Sequence, residues 1–283
     1  MKRRHSFFSI FFNVLGWLII GVLILFTVYP VIYALLGSLK TNAELTLGGA
    51  IFPKDPQWKN YVKAFIDSNF ITYSKNSLLI SLGTMIVACF TSSLTGYIFA
   101  RHEFPGKRLL ISLYGAMMFV SIGSVALYPI KLFLQKFSLD NTLLALILVL
   151  TGSQITNVFL VMGFVKGIPK ELDEAAILDG CNIFSIYYRI ILPLIRPIVG
   201  VVALFTFRNT WNDYITTLIM TMSNKSLTTL TVAVVQLKYS VFAAAEWHIM
   251  LAGASLAIIP VLLLYVFTNK QFISGLTAGA VKG

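Results

Sequence analysis

Apolar stretches long enough to cross the roughly 30 Å hydrocarbon core of a bilayer recur along this chain, and nothing else in it limits the fold as much. They fall at about 7–36, 71–100, 109–133, 143–165, 198–220 and 249–267. Backbone N–H and C=O groups cannot cross lipid unpaired, so each stretch is expected to be a helix. With 57% hydrophobic and only 12% charged residues, a water-soluble fold is excluded. The expected fold class is all-α: a polytopic membrane protein with six transmembrane helices in a single domain over residues 1–283. Pro30, Pro129 and Pro260 mark expected kinks.

The opening Met1-Lys2-Arg3-Arg4-His5 has the charge order of a secretory signal. The apolar run behind it exceeds the roughly 7–15 residues of a signal core, so an uncleaved first helix with a cytoplasmic N-terminus is expected. Six crossings return the C-terminus to the same side. The basic residues agree, crowding short turns such as Arg101-His102-Glu103-Phe104-Pro105-Gly106-Lys107-Arg108 and spreading thinly through longer outer connections. The net charge of +11 is thus a topology signal rather than a nucleic-acid surface. Cys89 lies in an apolar span and Cys181 in a predicted cytoplasmic segment, so no disulfide between them is expected. Neither these cysteines nor the scattered His5, His102 and His248 have metal-site spacing, and no metal site is expected.

The segment 167–195, between the fourth and fifth spans, carries the most information. Pro169 suits a first helical turn, and Glu171, Asp173 and Glu174 place negative charge at its positive end. Gly180 can end the helix in a left-handed conformation, and Asn182 or Ser185 can cap a second one. The pattern predicts a helix, a tight turn and another helix on the cytoplasmic side. Ala175 and Ala176 leave room for a close partner surface, and Glu174 offers it a carboxylate. An amphipathic helix lying on the inner leaflet is the competing reading.

Glu174-Ala175-Ala176, Gly180, Ile190 and Leu192-Pro193 resemble, element by element and at the same spacing, the EAA motif of binding-protein-dependent ABC permeases. Trp211-Asn212-Asp213-Tyr214, Glu246-Trp247 and the tail from Gln271 to Gly283 narrow the resemblance to MalG-type carbohydrate permeases over essentially the whole chain. The resemblance implies an ABC importer type I permease fold with a cytoplasmic coupling helix, multi-pass in a bacterial cytoplasmic (inner) membrane. The implied partners are a second, non-identical permease subunit, two ATPase subunits and an extracytoplasmic solute-binding protein. The implied cargo is a carbohydrate, an oligosaccharide first, with glycerol phosphate or an acidic sugar as the alternative. Glu174, Ala175, Ala176, Gly180, Ile190, Leu192 and Pro193 would couple to the ATPase, and the tail would reach toward it unless it is untethered. No catalytic residue and no cofactor bound by this chain are expected; it lacks the Gly-x-x-x-x-Gly-Lys-Ser/Thr loop. ATP and Mg belong to the partner ATPase subunits.

Polar groups at membrane depth mark packing networks or a solute path. Asn209, Trp211, Asn212, Asp213 and Tyr214 are suited to bind hydroxyls and stack on sugar rings, or to bond the partner permease. Gln154 and Asn157, three apart on one helix face, are read as packing. Outside, 40–70 should form short amphipathic helices. In 221–248, Tyr239, Phe242 and Trp247 are candidates for binding-protein contact, with interfacial anchoring the alternative for Trp247.

Overall fold

The chain is described by a computed structural model over residues 7–48, 51–119, 123–152, 154–239 and 245–280, with side chains within 11–266. It begins with α1 (Phe7–Ser38), α2 (Asn42–Thr46), α3 (Lys59–Asp67) and α4 (Phe70–Arg101). After α5 (Lys107–Phe119) come a 3-10 turn (Gly123–Ala126), α6 (Leu127–Lys136), α7 (Leu143–Gly152) and α8 (Ile155–Lys166). Then follow α9 (Glu171–Leu178), α10 (Ile183–Ile186), a π turn (Tyr187–Ile191), α11 (Leu192–Leu194) and α12 (Arg196–Trp211). The last helices are α13 (Ile215–Thr221), α14 (Leu230–Gln236) and α15 (Trp247–Ala280). Among the described residues the β structure is one isolated bridge, Tyr239 to Ala245, so the fold is all-α as expected.

α1, α4 and the first part of α15 are each long and apolar enough to cross a membrane alone, and there are up to six such spans if each bent helix pair counts as one. The expected third span is interrupted at Gly123–Ala126 rather than at Pro129. Pro129 sits in the first turn of α6, where its missing N–H removes no helical bond. The fourth span is divided into α7 and α8. In the fifth, α12 is 16 residues, about 24 Å at 1.5 Å per residue, too short to cross unaided. It ends at Trp211, and α13 continues beyond Asn212–Tyr214.

Two compact units form, residues 1–68 with 234–257, and residues 69–233 with 258–283. In the first, Thr41 and Glu44 close a capping box on α2. The carboxylate of Glu44 also accepts the Lys54 N–H, and these backbone hydrogen bonds hold its pKa below the ordinary value. Asn60 of α3 donates to the carbonyls of Ser38 at 2.7 Å and Lys40 at 2.9 Å, and Ala64 packs with Ile249 and Ala252.

The second unit is organised on α4, against which α7, α8 and α12 pack. The buried face of α4 is largely made of small residues, including Ser77, Ser81, Thr84, Ala88, Ser92 and Gly96. Without a hydrophobic drive between helices in lipid, such close backbone approach supplies the packing. One cluster joins Tyr97, Val161, Val165, Ile191, Ile195 and Val202; a second joins Ile80, Leu127, Leu146 and Met220.

Candidate coupling segment and membrane cavity

α9 carries three acidic residues in its first turn; its N-cap is Lys170, so Pro169, expected within that turn, lies just ahead of the helix. Its far end closes as a Schellman turn: Gly180 N–H donates to Ile177 O at 3.0 Å and Cys181 N–H to Ala176 O at 2.9 Å. Gly180 has φ +81°, the left-handed conformation its position requires. Asn182 then caps α10, its side chain accepting the Ser185 N–H at 2.9 Å. The limb Ile183–Leu194 bends 78° into α12 at Ile195, with Pro197 in the first turn beyond.

This geometry sorts the candidate residues. Glu174, Ala175 and Gly180 are exposed together, beside Ile177 and Leu178 at 60% and 88% exposure. Ala176 points the other way, 4% exposed, in the cluster with Tyr97, Val161 and Val165. Of the distal motif, Pro193 is exposed, while Ile190 and Leu192 are half-buried against that cluster. Tyr187 anchors the elbow through a buried 2.7 Å hydrogen bond to Ser93 of α4.

A cavity of about 440 Å³ lies where α7 gives way to α8 and α12 ends, lined by Leu150, Gln154, Thr156, Asn157, Leu160, Phe205, Asn209, Thr210 and Asp213. Asn157 donates to Thr206 Oγ1 at 3.0 Å and Gln154 Oε1 at 3.1 Å, joining α8 to α12. Asp213 Oδ1 accepts the Thr217 N–H at 2.8 Å and the Thr217 hydroxyl at 3.0 Å. Asn209 is exposed toward this space. Trp211 is placed elsewhere: 2% exposed, it stacks on Phe207 with ring centroids 5.7 Å apart. Asn212 is exposed, its amide donating to Arg208 O at 2.9 Å, and Tyr214 is half-buried.

In the first unit, Tyr239 is 70% and Trp247 41% exposed. The Lys238 ammonium lies 4.7 Å from the Tyr239 ring centroid and 5.7 Å from that of Trp247. Phe242, and Lys282 and Gly283 of the tail, lie outside the described residues.

Residues 92–274 match the family of binding-protein-dependent transport system inner membrane components. The chain belongs to that family. It is 31% identical to the arabinooligosaccharides transport system permease protein AraQ of Bacillus subtilis (strain 168), with 100% of both chains covered. It is also 31% identical to the sulfoquinovosyl glycerol transport system permease protein SmoH of Agrobacterium fabrum, covering 98% of this chain and 96% of that one. Among solved structures, it matches a chain of a bacterial ABC transporter involved in the import of the acidic polysaccharide alginate. The TM-score is 0.78 at 20% identity, over 94% of this chain and 98% of the other, so the fold is shared. The family match covers the coupling segment and the cavity together.

Sequence reasoning missed one residue at this inner-membrane component's elbow. Arg101, read only as a topology signal, has its Nε 2.8 Å from Asp173 Oδ2. No local signal links positions so far apart in sequence. In the adjoining turn, Lys107 lies 2.8 Å from Glu103, and that hydrogen bond first, then its charge, holds the Glu103 carboxyl below its ordinary pKa.

Proposed function

We propose that the chain is one of two non-identical permease subunits of an ATP-driven importer that carries a carbohydrate, an oligosaccharide first, across a bacterial cytoplasmic membrane. The observation that carries this reading is the coupling segment 167–195: a motif complete in sequence, displayed as an exposed knob on a buried foot. Exposed Ile177 and Leu178 need a covering partner. Glu174 offers that partner's basic residue a charge-assisted hydrogen bond. In this reading Glu174, Ala175 and Gly180 touch an ATPase subunit, while Ala176, Ile190, Leu192 and Pro193 hold the elbow. Closure of two ATPase subunits on ATP and Mg draws the knobs together and swings α12. The chain itself hydrolyses nothing.

Cargo passes beside the cavity, where Gln154, Asn157, Asn209 and Asp213 offer polar groups and Phe205 an apolar face to a sugar ring. Trp211 supports the wall from behind. The ionisable group among the lining residues is the Asp213 carboxylate, which favours hydroxyl-rich neutral solutes over anions. The similarity to a permease named for sulfoquinovosyl glycerol keeps an acidic solute as the second reading. Tyr239 and Trp247 face the solute-binding protein.

Affinity co-purification of the chain from its host in mild detergent tests the assignment. A second permease and an ATPase subunit, with ATP hydrolysis in the eluate, are expected. A lone chain without ATPase activity, after detergent dissociation is controlled for, would overturn it.

A further inference from the structure

Arg101, in the last turn of α4, grips the foot of the coupling segment. Beyond the 2.8 Å approach of its Nε to Asp173 Oδ2, its Nη2 donates to the carbonyls of Ile168 at 2.7 Å and Pro169 at 3.4 Å. One guanidinium therefore donates from Nη2 to two carbonyls and holds the carboxylate in ion-pair contact through Nε, an arrangement that a single ammonium does not reproduce. The Arg101 and Asp173 side chains are 4% and 13% exposed. Two other ion pairs differ: Lys63 is 46% exposed opposite Glu246, and Glu103 is 86% exposed opposite Lys107.

A buried ion pair is a poor device for stability, because desolvation offsets much of its attraction. It is a good device for orientation. Asp173 immediately precedes Glu174, so fixing its carboxylate fixes the rotation of α9 about its own axis. That rotation keeps Glu174 and Ala175 outward while Ala176 stays in the core. The second attachment, Ser93 to Tyr187, ties the same helix α4 to the far limb of the elbow. α4 is also the helix on which α8 and α12 pack.

We infer that Arg101 is a positioning residue, which with Asp173 makes α4 and the coupling helix one lever, so that displacement at the ATPase surface enters the spans through α4. The inference rests on the coupling role proposed for 167–195. It goes beyond that role by naming the helix that receives the motion and the side chain that passes it on.

Hydrogen–deuterium exchange on the purified full complex, nucleotide-free and trapped with ATP and vanadate, reads the transmission directly. In the wild type, nucleotide is expected to change exchange both in 171–178 and in 92–101. In Arg101→Gln the change in 171–178 should persist, while that in 92–101 falls at least about fivefold, with ATP hydrolysis within about twofold of wild type. Arg101→Lys, which keeps the charge but not the fork, should lose about half the change in 92–101. A merely structural role would raise exchange in both states and leave the nucleotide-dependent difference intact; that result would overturn the inference. Should Arg101→Gln fail to accumulate, Arg101→Gln/Asp173→Asn, which buries no unpaired charge, is read by the same criterion. Loss of all three variants from the membrane would make Arg101 a folding residue and refute the positioning role. Absence of any nucleotide effect in wild-type 171–178 would instead remove the coupling reading itself, and this inference with it.

Discussion

Gly180 separates backbone need from steric need. A Cβ added there would meet nothing within 4 Å, yet φ is +81°. Gly180→Ala therefore costs only the left-handed strain, about 1–2 kcal/mol, and should loosen ATPase association several-fold in a pull-down titrated with detergent. Gly180→Asn, whose side chain tolerates this conformation, should lose clearly less. Equal losses would show that the turn conformation is not what glycine supplies. Asp213 divides its duties in a similar way, since one carboxylate oxygen anchors Thr217 and the group also faces the cavity. Asp213→Asn keeps an acceptor for Thr217 but removes the charge. With a neutral oligosaccharide as cargo, uptake per assembled complex should fall by up to about tenfold, the difference between a charge-assisted and a neutral hydrogen bond. A rise in uptake would instead favour the acidic solute.

At the scale of elements, close packing along α4 makes two glycines respond to the same substitution by very different amounts. A Cβ on Gly96 would lie 2.8 Å from Val161 Cβ and 3.0 Å from the backbone nitrogen of Met162, neither of which can yield without moving α8. On Gly83 the obstruction is Ile147 Cδ1 at 2.5 Å, the far end of a flexible side chain. Gly96→Ala should destabilise the detergent-purified complex by about 1–3 kcal/mol, and Gly83→Ala by much less, as read from thermal unfolding. Local chemistry of this kind was legible in sequence where neighbours set it: the acidic first turn of α9, the Gly180 turn and the Asn182 cap all form as their residue types dictate. The breaks between α7 and α8 and between α12 and α13 were hidden, because hydropathy sums apolar character and is blind to where a helix ends. Trp211 shows the other limit. Its residue type suits a sugar path, but which face of α12 turns inward depends on Phe207 and the neighbouring helices, and these bury it.

For the molecule as a whole, the contacts of α4 sort the connections onto two sides. At 32 residues α4 is about 48 Å long, so both its ends pass beyond a hydrocarbon core of about 30 Å. At one end Arg101 touches Ile168 and Asp173, placing the turn after α4 and the coupling segment together. At the other, Asn76 donates to the carbonyls of Ser226 and Thr228, and Ser77 accepts the Leu230 N–H. Arg101, Lys107, Arg108, Lys166, Lys170, Arg189 and Arg196 lie in or beside the turn after α4 and the coupling segment, so the bias of basic residues toward the cytoplasm predicts that this segment is inside. Single cysteines on a Cys89→Ser/Cys181→Ser background check this in cells stripped of wall and outer layers. Lys225→Cys should react with a membrane-impermeant maleimide while the cells are intact, and Lys170→Cys only after the membrane is opened. The reverse pattern would put the knob on the side that has no ATP, and no arrangement of partner subunits could then use it for coupling.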